Sequence, residues 1–166
     1  SFLASTARSI NFADGTTFSA TNPEAGSLLT VSVPVGLGFG SNPGAIQVQG
    51  TGHNLTFDTS FPTAFPPFLR ETNPSALTVQ SGRTLALVGG GVFLEGGQLI
   101  AERGTIELGS VRQGEVSLVQ TASGFRLGYE SVPKFDDIQL QQRALVDASG
   151  AGGSGIHFVG REITLT

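Results

Sequence analysis

Ten side chains in this sequence are of types that could carry chemistry: Glu95, Glu102, Glu107, the adjacent pair Asp136-Asp137, Arg103, Arg112 and Arg126, and two histidines, His53 and His157. Glycan-cleaving enzymes need two carboxylates about 5–10 Å apart across the scissile bond. A basic residue aligned beside them would complete such a site. The spacing here works against it. Asp136 and Asp137 point to opposite sides if the chain is extended, and the three glutamates fall on neighbouring repeats but on different faces, so solvated surface is the expectation for all five carboxylates. His53 stands in a loop beside Gly52. His157 lies between Ile156 and Phe158, so alternation turns its ring outward if those two face a core. Two distant histidines and no cysteine give neither a metal site nor a recognised nucleophilic triad.

Two glycine motifs and a sequon carry equally little chemistry. Gly36-Leu37-Gly38-Phe39-Gly40 runs into Asn42-Pro43 rather than into a helix, so it cannot cradle a phosphate. Gly152-Gly153-Ser154-Gly155-Ile156 starts like a calcium-binding nonapeptide, but His157 stands where that motif needs an aspartate, which leaves structural glycine. Asn54-Leu55-Thr56 fits the glycosylation pattern, a weak three-residue signal.

The elements that would position these residues are strands. Asn42-Pro43-Gly44-Ala45-Ile46-Gln47-Val48-Gln49 returns as Asn73-Pro74-Ser75-Ala76-Leu77-Thr78-Val79-Gln80. Thr84-Leu85-Ala86-Leu87 returns as Thr105-Ile106-Glu107-Leu108, about twenty residues on. An offset in the low twenties is about one coil of a β-solenoid, in which each coil buries the apolar row of its neighbour. From Leu77 onward, period-2 alternation marks the inward pairs Leu77/Val79, Leu85/Leu87, Ile106/Leu108, Val116/Leu118, Phe125/Leu127, Ile138/Leu140, Ile156/Phe158 and Ile163/Leu165. Glycines every five to seven residues or so leave no room for helices and supply the corners of a triangular prism. Each ladder side chain fully buried would contribute about 1.5–3 kcal/mol.

Two segments break the pattern. Residues 54–71, NLTFDTSFPTAFPPFLRE, interleave Pro62, Pro66 and Pro67 with Phe57, Phe61, Phe65 and Phe68. They read as an excursion whose phenylalanines either pack on the flank of the rod or form a partner contact. Residues 17–37 read as an irregular or hairpin-like stretch, with Leu29–Val33 its clearest strand and Pro34 its end.

Composition sets the class. The 166 residues include 24 glycines and no Trp, Met or Cys; 13% are charged and 39% hydrophobic, and mean hydropathy is +0.13. This describes one folded, soluble, turn-rich all-β domain with no run apolar enough to span a bilayer. A net charge of −4 disfavours nucleic acid, and the 9 Lys and Arg form no basic stripe. Without a start Met, a signal peptide or a closing cap, the sequence reads as part of a longer chain.

Ser1-Phe2-Leu3-Ala4-Ser5-Thr6 with Ile10-Asn11-Phe12, then Phe39-Gly40-Ser41-Asn42-Pro43-Gly44-Ala45-Ile46, Leu85-Ala86-Leu87-Val88-Gly89-Gly90 and Leu94-Glu95-Gly96-Gly97, resembles the filamentous haemagglutinin-type exoproteins, their cyanobacterial versions most closely. The likeness continues through Gly104–Val111 and Ala144–Gly150. It implies a right-handed parallel β-helix with loop or hairpin excursions, near the N-terminal region of a large surface protein exported through an outer-membrane two-partner-secretion transporter. The family's Asn-Pro-Asn-Gly signature precedes the Ser-Phe-Leu-Ala-Ser-Thr segment, so transporter recognition is not assigned to residues of this sequence. A cysteine-free chain suits the route, since no disulfide can lock it before it threads a pore.

The expectation is therefore one β-helical segment over residues 1–166 of a secreted, non-enzymatic adhesin or fibre protein on a bacterial surface. It has no cofactor, its partner in export is the transporter, and a surface glycan or protein receptor or self-association follows. A carbohydrate-active enzyme fragment and a filament subunit are the alternatives.

Overall fold

The computed structural model describes residues 1–22, 32–57, 68–69, 73–152 and 155–166, and among these it is built of strands with no helix. The chain starts on β1 (Phe2–Ser5), turns into β2 (Ser9–Phe12), β3 (Thr17–Ser19) and β4 (Pro34–Phe39), and then runs through β5 (Ile46–Gln49), the short pair β6 (Thr56–Phe57) and β7 (Phe68–Leu69), and β8 (Leu77–Thr78). A second pass follows with β9 (Thr84–Gly89), β10 (Val92–Glu95) and β11 (Gln98–Ile100). The third has β12 (Thr105–Thr121), β13 (Gly124–Phe135), β14 (Ile138–Gln141) and β15 (Leu145–Asp147), and the last β16 (Gly155–Val159) and β17 (Ile163–Leu165).

Strands of successive passes stack in parallel. One ladder is β1-β9-β12-β16, a second β5-β10-β14-β17 and a third β8-β11-β15, visited in that order on the first three passes, the last pass adding β16 and β17 to the first two; one pass is a rung. The register confirms the shorter sequence repeat, since Thr84, Leu85, Ala86 and Leu87 lie opposite Thr105, Ile106, Glu107 and Leu108. Apolar side chains then line up rung on rung: Leu85 with Ile106, Leu87 with Leu108, Val92 with Ile138, Leu94 with Leu140, and Leu99 with Leu77 and Val146. Together they form one core cluster. Corners are tight: Gly96 has φ 67°, and a Cβ there would sit 2.9 Å from the Gly50 carbonyl carbon.

The longer repeat has a different meaning from the one predicted. Residues 46–49 and 77–78 do not stack on each other, because β5 belongs to the second ladder and β8 to the third within the same rung. What repeats is an entry into a strand. Asn42 takes a left-handed φ of 56°, and the Asn73 side chain accepts a hydrogen bond from the Ser75 N–H at 2.9 Å.

An antiparallel layer, β3-β2-β4-β12-β13, covers the outer face of the first ladder, so that sheet is mixed. Here the alternation misleads: Val116/Leu118 and Phe125/Leu127, expected as inward rung positions, belong to the β12–β13 hairpin outside the parallel ladders. β12 serves both sheets. Thr105–Ser110 pair in the parallel ladder; beyond Val111 the strand passes through irregular register and Gly114 at φ 128°, then pairs with β4 and β13. Leu37, Phe39, Val116, Leu118, Leu127 and Val132 pack on Ala86, Val88 and Val111 as a second core. β9 is consequently buried on both faces. Pro34, predicted to end a strand, instead opens β4, where the first position needs no N–H; most of the predicted Leu29–Val33 strand lies outside the described residues.

Candidate functional site

The outward-facing slot of the first ladder holds, in register, Ala86 on β9, Glu107 on β12 and His157 on β16. Ala86 is fully covered by the antiparallel layer, Glu107 is 3% exposed, and the His157 side chain stands 56% exposed. Glu107 is thus the correction to the expectation of a solvated carboxylate: alternation turns it away from the core between the ladders, but the β12–β13 hairpin lies over it. Its Oε1 is 3.2 Å from His157 Nδ1. Burial pushes its carboxyl above the usual carboxylate range, opposed by the charge and hydrogen bond of His157 and by Arg126 on β13. Tyr129, on the same hairpin, packs against Gly109; its ring carbons lie 2.9 Å from where a Cβ at Gly109 would be. Burial, with the Glu107 charge, pushes the Tyr129 hydroxyl up, and that hydroxyl has no hydrogen-bond partner among the described residues.

The remaining carboxylates do not join this group. Glu95 sits half-buried on the second ladder, accepting from Gln49 Nε2 at 3.3 Å, and Glu102 is exposed at a corner beside Arg103, whose φ is 55°. Asp136 and Asp137 follow β13, and each holds its own arginine. Arg112 donates through Nε and Nη2 to the two Asp136 oxygens at 3.2 and 2.9 Å, and Arg161 Nη2 donates to Asp137 Oδ2 at 2.6 Å. Among the described residues no three His, Cys, Asp or Glu side chains gather as metal ligands.

His53 and Asn54 are tied to a corner. Arg143, itself left-handed at φ 60°, donates to the His53 carbonyl and, at 2.9 Å, to Asn54 Oδ1. The adjoining cleft, about 230 Å³, is lined by these loop residues with Asn73 and the buried Gln98, whose Nε2 donates to the Gly52 carbonyl at 2.7 Å.

The phenylalanine cluster is brought together in part. Phe57 on β6 and Phe68 on β7 are cross-strand partners, with ring centroids 4.7 Å apart, and both are exposed. Phe61 and Phe65 lie outside the described residues. Sequence reasoning missed the Glu107–His157 contact, which depends on the β12–β16 register, and both arginine–aspartate pairs, which depend on the corner after the hairpin. A signal for the covered face was present: Leu85-Ala86-Leu87-Val88 has no polar residue at alternate positions, the pattern of a strand buried on both sides.

No helix in the described structure is long and apolar enough to cross a membrane. Compared with known families, residues 1–157 match the one described as the TPS secretion domain. No curated protein and no solved structure matches the chain.

Proposed function

The chain belongs to the TPS secretion-domain family, the two-partner secretion exoproteins, and on that premise we propose that it is an exported, β-helical region of a non-enzymatic adhesin or extracellular fibre protein displayed on a bacterial surface. The family match over residues 1–157 carries this reading, since it spans the first three rungs and the antiparallel layer together. The three parallel ladders, visited in fixed order, support a parallel β-helix, with the right-handed sense that crossovers between parallel strands favour. Such a stack suits export by folding. Each rung gains its core only when the next covers it, so the chain can pass a pore extended and be held on the far side by successive burial. Phe57 and Phe68, exposed on their own short strand pair, are the candidate partner contact. The non-enzymatic part is supported by the scatter of Glu95, Glu102 and Glu107 over two ladders and a corner.

Co-expression tests the export reading. With the cognate outer-membrane transporter present, the chain is expected in the medium in protease-resistant form. Without the transporter it should stay in the periplasm. Equal release in both cases, or retention in both, would sink the proposal.

A further inference from the structure

Three cations converge on one depression at the foot of the hairpin. Arg112 from β12, Lys134 from β13 and Arg161 from the corner between β16 and β17 surround a cavity of about 450 Å³ whose remaining wall is Pro133 and Phe135. That volume lies within the range of small-ligand sites, on the order of 300–1,000 Å³. The two guanidinium groups are held from behind by consecutive carboxylates, Asp136 and Asp137. The turn is fixed in its turn by backbone bonds, from the Asp136 N–H to the Ser110 carbonyl at 3.1 Å and from the Arg161 N–H to the Asp136 carbonyl at 2.8 Å.

A guanidinium has five N–H donors. The hydrogen bonds described use two on Arg112 and one on Arg161, and the two side chains remain 53% and 62% exposed. Lys134 is exposed and makes no ion pair among the described residues. Three cations against two carboxylates leave one positive charge in excess, on a chain whose net charge is −4. Pre-oriented forks with spare donors match carboxylate or sulfate groups and lose little freedom on binding.

We propose that this depression binds an acidic oligosaccharide carrying carboxylate or sulfate groups on neighbouring sugar rings. Exposed cations hold a single small anion weakly, because water and salt screen each pair, so a ligand with several charges is required. The half-buried Phe135 ring and Pro133 between the cations offer an apolar surface to the C–H face of a sugar ring. A peptide added as a strand is disfavoured: Phe135 and Lys134 already pair with Val111 and Gln113, and Pro133 has no N–H to give. The inference concerns this domain's own ligand and does not depend on export, so a failure here leaves the transporter reading intact.

Calorimetric titration of the 166-residue chain with an oligogalacturonate, a sulfated oligosaccharide of equal length and a neutral dextran oligomer decides it. Binding of either charged probe and not of dextran is expected, fading as salt is raised, and which probe binds tells carboxylate from sulfate as the recognised group. Lys134→Gln touches neither aspartate pair and should weaken binding about three- to fivefold, and Arg161→Gln by at least as much. The proposal is overturned by equal binding of dextran, by unchanged affinity in Lys134→Gln, by tighter binding of oligoglutamate than of both charged glycans, or by no binding of either at low millimolar concentration.

Discussion

β9 and β16 occupy the same ladder in the same register family, and their fates differ completely. Every residue of β9 is buried, whereas on β16 Ile156 is 43% exposed although it lies opposite the fully buried Ile106. The second ladder repeats the contrast, with Val92 and Ile138 inaccessible and Ile163 at 40%. Residue type does not explain this, since the residues compared are all Ile, Leu or Val. Position in the stack does: an inner rung has a rung on either side and, in the first ladder, the antiparallel layer outside it. The last described rung has one neighbour and lies at the margin of that layer.

The contrast can be broken by truncation at both places. Leu85→Ala should cost about 2–5 kcal/mol, because the surrounding rungs cannot collapse into the cavity. Ile156→Ala should cost under about 1 kcal/mol, since much of that side chain already meets water. Urea unfolding followed by circular dichroism measures both. Equal losses would mean that the last rung is covered in solution by something that the stack of described residues does not contain.

A second change probes the outer layer alone. Gly109→Ala places a methyl group against the Tyr129 ring and hydroxyl, which should prise the hairpin from the ladder and cost about 1–3 kcal/mol. Tyr129→Phe in the same chain should recover part of the loss, as the hydroxyl is the nearest atom to the added carbon and has no partner among the described residues to lose. Strictly additive losses would show that the two groups do not meet in solution.

These contrasts also mark how far the sequence could be read. The recurrence of Thr84–Leu87 at Thr105–Leu108 gave the true register, because stacking requires like residues in like slots. The Asn-Pro recurrence looked like the stronger signal yet marks only two strand entries, since local turn chemistry repeats without any stacking. Alternation identified Ile106 and Leu108 as inward and Glu107 as outward. It could not say that a hairpin from the same strand would lie over Glu107, because what covers a strand's second face is set by pairing partners far along the chain. Phe57 and Phe68 were legible only as members of an aromatic excursion, not as cross-strand partners, and Arg112 with Asp136 and Arg161 with Asp137 were not legible, each pair needing the corner geometry after β13.

The smallest expected effect tests the margin itself, where the covered and uncovered rungs meet at Glu107 and His157. Glu107 binds its proton more tightly folded than unfolded, so its contribution to stability is fully present below the usual carboxylate range and is lost as pH rises through its elevated folded titration. The contact with His157 and the charge of Arg126 lower the elevation and so limit the loss; Tyr129, with its hydroxyl pushed up, stays neutral throughout. Glu107→Gln removes the titration and keeps the shape. Relative to the native chain, the variant should therefore gain stability as pH is raised from acid to neutral, by less than about 1 kcal/mol, because the amide can still hydrogen-bond His157. Urea midpoints measured across that range for both chains would show converging or crossing lines. Parallel lines would mean that water reaches the carboxylate, and that the antiparallel layer stops short of Glu107 rather than closing over it.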